Sequence, residues 1–244
     1  MTPLILRPEP QASELARQLR AAGHRPVVSP LLSIAPGREL TKLASELLQS
    51  ELIIAVSAQA VEQATTHLRQ ADLDWPERTY LAVGSTTAES WLASGVSADY
   101  PEDARSEGLL AHTKLQQVAG KSILILRGDG GRELLGETLR TRGASVSYCE
   151  CYQRYWPNLD GSRLCAKWHT AKIDSVIITS GELLRRLLEL VPECERPWLQ
   201  HLLFIVPSIR VATLVVEAGL PAPLLAAGAT HAALLAALGE RNSA

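Results

Sequence analysis

The feature that most limits what this chain can fold into is a segment that occurs twice. LILRPEPQASELARQLRAAG, beginning at Leu4, aligns without a gap on LILRGDGGRELLGETLRTRG, beginning at Leu124. Arg7 falls on Arg127, Leu15 on Leu135, Leu19 on Leu139, Arg20 on Arg140 and Gly23 on Gly143, an offset of 120 residues. Further along, AVS ending at Ser57 matches ITS ending at Ser180, and VGS ending at Ser85 matches VPS ending at Ser208, both at an offset of 123. Each half thus repeats the order strand, helix, strand, followed by two strand-to-helix turns 28 residues apart. Two copies of one unit predict two similar domains, whatever the single elements turn out to be.

Short apolar runs alternate with amphipathic stretches. Strands are expected at residues 4–6, 27–34, 52–56, 80–83, 123–126, 146–152, 176–178, 203–206 and 224–226. Helices are expected over 12–22, 58–69, 87–93, 107–117, 133–142, 182–190 and 209–218, where apolar side chains recur every three or four positions. Strand and helix in alternation predict an α/β protein with parallel sheets covered on both faces. With 46% hydrophobic and 20% charged residues in a chain of 244, there is enough apolar surface for substantial cores, which excludes a disordered, collagenous or coiled-coil protein.

Each half also contains one extended segment that does not lead straight into a helix, RPVVSPLLSIAPG and SVSYCECYQRYWP, at equivalent positions. Both contain proline, which cannot donate to a central ladder, as expected of edge or linker strands. If both pass between domains, the chain begins in one domain, builds the second whole and returns to finish the first. That predicts a discontinuous domain of residues 1–34 plus 158–244, a second domain of 38–150, linkers near 30–37 and 150–157, and a stiff hinge with a cleft beside it.

Lys and Arg number 24 against 26 Asp and Glu, a net charge of −2. No global field holds such a protein on nucleic acid or an anionic membrane, so an anionic ligand has to be held by local groups. The start, MTPLILRPEP, has no charged leader region and only a short apolar run, which predicts a cytoplasmic protein with reduced thiols. Residues 221–238 have the length of a short span but contain Gly228, Thr230 and His231 behind proline, so a strand and a buried helix are expected instead. Cys149, Cys151, Cys165 and Cys194 form no CxxC pair and none stands at ligand spacing from a histidine, so no metal is expected. Cys149 and Cys151 fall on one face of a strand, as buried thiols would. No long exposed apolar face stands out, and a monomer is expected.

In open parallel sheets, ligands bind outside the carboxyl ends of the strands, where helix N-termini offer free N–H groups. Those ends read Arg7-Pro8, Ser57-Ala58-Gln59, Gly84-Ser85-Thr86-Thr87, Arg127-Gly128-Asp129-Gly130-Gly131-Arg132, Thr179-Ser180-Gly181, Pro207-Ser208-Ile209-Arg210 and Gly228-Ala229-Thr230. Thr86 with Glu89, and Thr179 with Glu182, have capping-box spacing, and a helix needs such a cap with or without a ligand. Several such ends together favour a multiply anionic ligand. RGDGGR either cradles a carboxylate or phosphate or is a tight turn in which Asp129 caps a helix; both readings stay open. It is no dinucleotide fingerprint, because Glu133 stands where the third glycine would be, and it lacks a P-loop ending. The histidines, His24, His67, His112, His169, His201 and His231, adjoin no nucleophile and are expected on the surface. Tyr152 is different, because on a hinge strand its phenol could either donate a proton into the cleft or simply pack.

Taken in order, LxLRP at the start, AVSAQAVE at Ala55, AVGSTTA at Ala82, SEGLL at Ser106, LRGDGGRELLGETLRTRGA at Leu126, CYQRYWP at Cys151, ITS at Ile178 and VPSIRVA at Val206 resemble uroporphyrinogen III synthases, the bacterial form above all. The resemblance spans nearly the whole chain. It implies two flavodoxin-like domains joined by a two-stranded linker, and a cofactor-independent reaction of haem biosynthesis. Linear hydroxymethylbilane would lose its hydroxyl as water and close to uroporphyrinogen III with inversion of ring D through a spiro intermediate. The substrate, which hydroxymethylbilane synthase could pass on, carries eight carboxylates, in keeping with hydroxyl-rich helix N-termini and arginines. Hydroxymethylbilane can also close unaided to the uninverted isomer, so the enzyme's main task is to hold one conformation. By the match, Tyr152 would protonate the departing hydroxyl and Thr87 would bind substrate. Ser57, Gly84, Ser85, Thr86, Arg127, Gly128, Gly131, Arg132, Thr179 and Ser180 would line the cleft, with Ser208 and Arg210 in a VPSIRVA turn where some members carry GxTTA.

Two other readings use the same residues. One is a hinge-closing binder of a small anion that catalyses nothing, against which the missing export signal argues. The other is a nucleotide-dependent transferase with RGDGGR as its phosphate cradle, which ATP or NAD would stabilise against heat where a tetrapyrrole would not.

Overall fold

The computed structural model describes residues 1–131 and 133–241. The chain runs β1 (Pro3–Ile5), α1 (Gln11–Ala21), β2 (Val27–Val28), β3 (Ser33–Pro36), α2 (Leu43–Gln49), β4 (Leu52–Ala55), α3 (Ala58–Gln70), β5 (Thr79–Ala82), α4 (Ser85–Ala93), α5 (Ser106–Ala111) and β6 (Ser122–Gly128). It continues α6 (Leu134–Thr141), β7 (Ser145–Tyr155), α7 (Gly161–Thr170), β8 (Ser175–Ile177), α8 (Gly181–Leu190), α9 (Arg196–Leu199), β9 (Leu203–Val206), α10 (Ile209–Glu217), β10 (Leu224–Leu225) and α11 (His231–Arg241). It divides into two compact units, Met1–Ile34 with Tyr155–Ala244, and Ala35–Arg154.

The first unit holds a five-stranded sheet of order β10-β9-β8-β1-β2, the second one of order β3-β7-β6-β4-β5. The pairs from β10 to β2, and those from β7 to β5, are parallel, so the α/β fold with parallel sheets is as expected. Taking β1 with β6, β2 with β7, β8 with β4 and β9 with β5, the neighbours stand in the same order in both sheets: second, first, third, fourth.

Successive residues of a strand face opposite sides, and both sides are covered here, so the strands read as unbroken apolar runs. In the first unit Leu4, Val176 and Phe204 pack with Trp168, Leu183 and Leu187, while Ile5, Ile177 and Ile205 pack with Leu15, Leu19, Leu234 and Leu238. In the second, Ile53, Ala55, Leu124 and Leu126 meet Val61, Ala64 and Trp91, and Leu52, Ile54, Ile123 and Ile125 meet Leu109, Leu135 and Leu139. Each fully buried Leu or Ile contributes about 1.5–3 kcal/mol.

Several local expectations are corrected. Residues 27–34 are not one strand: Pro30, which has no N–H to donate, falls between β2 and β3. Of the two segments expected as edge or linker strands, SVSYCECY forms β7, which is not an edge because β3 and β6 flank it, whereas β3 is an edge. The helix expected over 107–117 ends at Ala111, since His112 is extended and starts a separate 3-10 turn. Neither Thr86 nor Thr179 is the helix cap; Gly84 and Ser180 are, and Ser180 Oγ accepts the Leu183 N–H at 3.3 Å. His24 is not on the surface but 7% exposed. Gly23, at φ 83°, turns the chain back so that the His24 N–H bonds the Leu19 carbonyl at 3.0 Å, closing α1.

Candidate active site

Within the second unit, β6 and β7 pair with Leu126 opposite Cys149 and Arg127 opposite Glu150, but Gly128 lies opposite Tyr152. Cys151 is therefore an extra residue, and such a bulge re-aims the side chains beyond it. Strict alternation would put Tyr152 on the face of Tyr148 and Glu150. Instead it packs on the cluster that contains Cys149 and Cys151, while Tyr148 packs on the cluster of the opposite face. The phenol thus comes over the end of β6. A Cβ at position 128 would lie 2.6 Å from the Tyr152 ring and 2.9 Å from its hydroxyl, so only glycine leaves room. Ser57, which caps α3 by accepting the Ala60 N–H at 3.2 Å, points its hydroxyl at the Tyr152 oxygen at 3.4 Å.

These groups border a cavity of about 460 Å³ at the carboxyl ends of β4, β5 and β6, the side of a parallel sheet where ligands bind. Val56, Val83, Ile125 and Leu135 give it an apolar floor, and Ser57, Arg105, Ser106, Arg127, Tyr148, Tyr152 and Arg154 its polar wall. A wider hollow of about 720 Å³ lies at the amino ends of β4 and β5. Its arginine, Arg78, is committed to the Ser50 carbonyl at 2.8 Å, and the hollow is open to solvent, so the smaller cavity is the better candidate.

The Arg127 guanidinium lies on the Tyr148 ring, 4.0 Å from its centre. Nη1 donates to Glu133 Oε1 at 2.6 Å and Nη2 to Glu150 Oε1 at 3.3 Å. Burial alone would lower the Arg127 pKa, but hydrogen bonding to Glu133 and the charges of Glu133, Tyr148 and Glu150 hold it above its ordinary value. Glu133 is held below the usual carboxylate range by its bond from Arg127. Burial, then Glu133, pushes the Tyr148 phenol up. The glycine loop is pinned in place: Gly130 N–H donates to Glu150 at 3.1 Å, and Asp129 N–H to the Tyr152 carbonyl at 2.8 Å. Asp129 does not cap a helix; its carboxylate accepts the Arg154 N–H at 3.1 Å. Gly130 and Gly131, at φ 71° and 131°, occupy backbone space that other residues rarely adopt.

A phenol, a serine, a guanidinium and a glycine loop thus border one cavity. The family model described as Uroporphyrinogen-III synthase HemD matches residues 13–236. The chain belongs to the uroporphyrinogen-III synthase family. Uroporphyrinogen-III synthase of Escherichia coli is 42% identical over 245 residues, 98% of this chain and 100% of that protein. The Salmonella typhimurium protein of the same name is 43% identical, with the same coverage. Among solved structures, a mutant uroporphyrinogen III synthase of the extremely thermophilic bacterium Thermus thermophilus matches with TM-score 0.60 at 16% identity, over 100% of this chain and 98% of that one. Uroporphyrinogen-III synthetase of Helicobacter pylori matches with TM-score 0.60 at 15% identity, over 99% and 100%; both likenesses are of the fold.

The cavity of this uroporphyrinogen-III synthase family member brings together Ser57, Arg127, Gly128, Gly131 and Tyr152. It does not include Gly84, Ser85, Thr86 or Thr87, although Val83 just before them reaches it. Gly84 is closed in by Ala104, whose Cβ is 2.6 Å from where its own would be; Ser85 and Thr86 are exposed, and Thr87 is buried. Thr179, Ser180, Ser208 and Arg210 stand at the carboxyl ends of β8 and β9 in the other unit. There Ser180 and Ser208 cap α8 and α10, and Arg210 is exposed. Arg132 lies outside the described residues. The sequence reading missed Tyr148, Arg105, Ser106 and Arg154. Ser106 was visible in the SEGLL motif, and Tyr148 as an aromatic residue one bulged turn before Tyr152. Among the described residues no three His, Cys, Asp or Glu side chains are grouped to hold a metal, and no helix is long and apolar enough to cross a membrane.

Proposed function

We infer that the protein closes linear hydroxymethylbilane to uroporphyrinogen III, losing water and inverting ring D, as an enzyme of tetrapyrrole biosynthesis. The observation that carries this is the family match along nearly the whole chain, with 42% identity to the Escherichia coli enzyme. A binder without catalysis is not favoured by that relationship.

The cavity suggests how the residues share the work. Arg127, beside the glycine loop, holds a substrate carboxylate, helping to fix the flexible chain in the conformation that closes with inversion. Tyr152 gives its proton to the departing hydroxyl as the carbon–oxygen bond breaks and water leaves. The Ser57 hydroxyl, directed at the Tyr152 oxygen, then steadies the phenolate until a proton lost from the closing ring restores it. Thr87, Thr179, Ser180, Ser208, Arg210 and Arg132 are further candidates for substrate contact by family likeness. The shared strand order and the aligned segments at Leu4 and Leu124 support descent of both units from one ancestral unit, with β3 and β7 as the linker.

The test is an isomer-resolved product assay. Given freshly made hydroxymethylbilane, the protein yields mainly the type III isomer; type I alone contradicts the reading.

A further inference from the structure

Arg127 has two carboxylate neighbours, and they are held very differently. Glu150 is fixed: it belongs to β7, its N–H bonds Glu39 at 2.8 Å, and its carboxylate also takes the Gly130 N–H. Glu133 is the loose one. It stands just before α6 with no side-chain cap of its own, its side chain is 45% exposed, and it nonetheless makes the shorter bond, 2.6 Å to Arg127 Nη1. Arg127 itself is 14% exposed, its guanidinium carbon lies 4.0 Å from the centre of the Tyr148 ring, and its buried Nε has no hydrogen-bond partner among the described residues. Arg127 lines the cavity and Glu133 does not, but Nη1 is already occupied by the Glu133 carboxylate, so a ligand carboxylate that takes this nitrogen has to replace it.

We propose that Glu133 is a built-in competitor for the substrate: its carboxylate fills Arg127 Nη1 in the free enzyme, and a substrate carboxylate displaces it on binding. The proposal rests on the reading above that Arg127 receives a substrate carboxylate. Exchange of one carboxylate for another keeps the largely buried Nη1 paired, so its charge is not left uncompensated. Because only the fraction of molecules with Glu133 swung away is competent, apparent affinity is reduced by that fraction. A tethered carboxylate has a high effective concentration, so a ligand with one carboxylate displaces it poorly. A ligand anchored elsewhere by further carboxylates displaces it readily. Glu133 thereby selects polycarboxylates.

The test is steady-state kinetics with hydroxymethylbilane on Glu133→Gln, Glu133→Asp, Glu137→Gln and Arg127→Gln, and on the double variant of residues 127 and 133. Glu133→Gln is expected to lower KM roughly two- to fivefold, the range of a partly exposed ion pair, with a smaller change in kcat. Glu133→Asp, which keeps the charge but shortens the reach, should lower KM as well. Glu137→Gln, which removes a charge one turn further along, should not. With Arg127→Gln in place, the Glu133 substitution should bring no gain. An unchanged or raised KM in Glu133→Gln, or an equal fall in Glu137→Gln, overturns the proposal. If Arg127→Gln alone leaves KM unchanged, the underlying reading of Arg127 fails instead, which separates the two.

Discussion

The two units place their strands in the same order, yet the turn that follows β1 in one and its counterpart β6 in the other is built differently. In the first unit it reads Arg7-Pro8-Glu9-Pro10, in the second Arg127-Gly128-Asp129-Gly130. Proline removes the N–H groups that pin the second turn, where the Asp129 N–H bonds the Tyr152 carbonyl and the Gly130 N–H bonds Glu150. The arginines diverge in step. Arg127 is paired with Glu133 and Glu150 through Nη1 and Nη2, although its buried Nε has no hydrogen-bond partner among the described residues. Arg7 has a buried Nη1 with no hydrogen-bond partner among the described residues, and burial lowers its pKa. One scaffold thus carries two unlike turns, and the second borders the cavity.

The sharpest way to break that contrast is Tyr152→Phe, which keeps the ring on Gly128 and removes only the hydroxyl. Turnover should fall about 10²-fold, the low end for loss of a general acid, with circular dichroism and melting unchanged. Unaltered turnover would leave Tyr152 a packing residue.

Next in size is a pair at equivalent positions, Gly136 and Ala16. A Cβ on Gly136 would sit 2.0 Å from the Tyr148 hydroxyl, whereas Ala16 is already buried with its methyl in place. Gly136→Ala should cost about 1–3 kcal/mol through overpacking and weaken substrate binding by shifting the platform under Arg127. Ala16→Gly should cost about 1 kcal/mol, with substrate binding untouched. Equal effects on KM would erase the distinction.

Smaller still, Ser57→Ala and Ser180→Ala remove equivalent helix caps, and denaturant titration should show each losing about 1 kcal/mol. Turnover should drop further in Ser57→Ala, whose hydroxyl also faces Tyr152.

The last contrast is His24 against Ala144, its counterpart at the end of α6. Burial, and then the nearby N-terminal amino group, lower the His24 pKa, with Asp174 opposing. Below the ordinary value of about 6.5 the unfolded chain therefore binds a proton that the folded chain refuses, and stability falls as pH drops. Melting temperature should decline between pH 7.5 and 5.5, and His24→Ala should flatten that slope.

The sequence showed the scaffold well because repeat and periodicity are set by burial, which writes itself into every third or second residue. Leu4 and Ile5, in a short apolar run repeated at Leu124 and Ile125, read as a strand covered on both faces, and they are one. The site was less legible. One inserted residue, Cys151, turns Tyr152 away from the face that alternation assigns it, and no local pattern announces a bulge. Tyr148, Arg105 and Arg154 join the cavity only through the packing of separate elements. The Thr86 and Thr179 capping boxes misled because neighbouring residues offered equally good caps, and His24 because a glycine turn buried an otherwise ordinary polar residue.

The most direct test of the account is a crystal structure of the protein with its product, uroporphyrinogen III, bound under anaerobic conditions. The expected result is a product carboxylate on Arg127 Nη1, Glu133 swung away, and the macrocycle against the Tyr152 hydroxyl. Product bound elsewhere, with the contact between Arg127 and Glu133 intact, would contradict it.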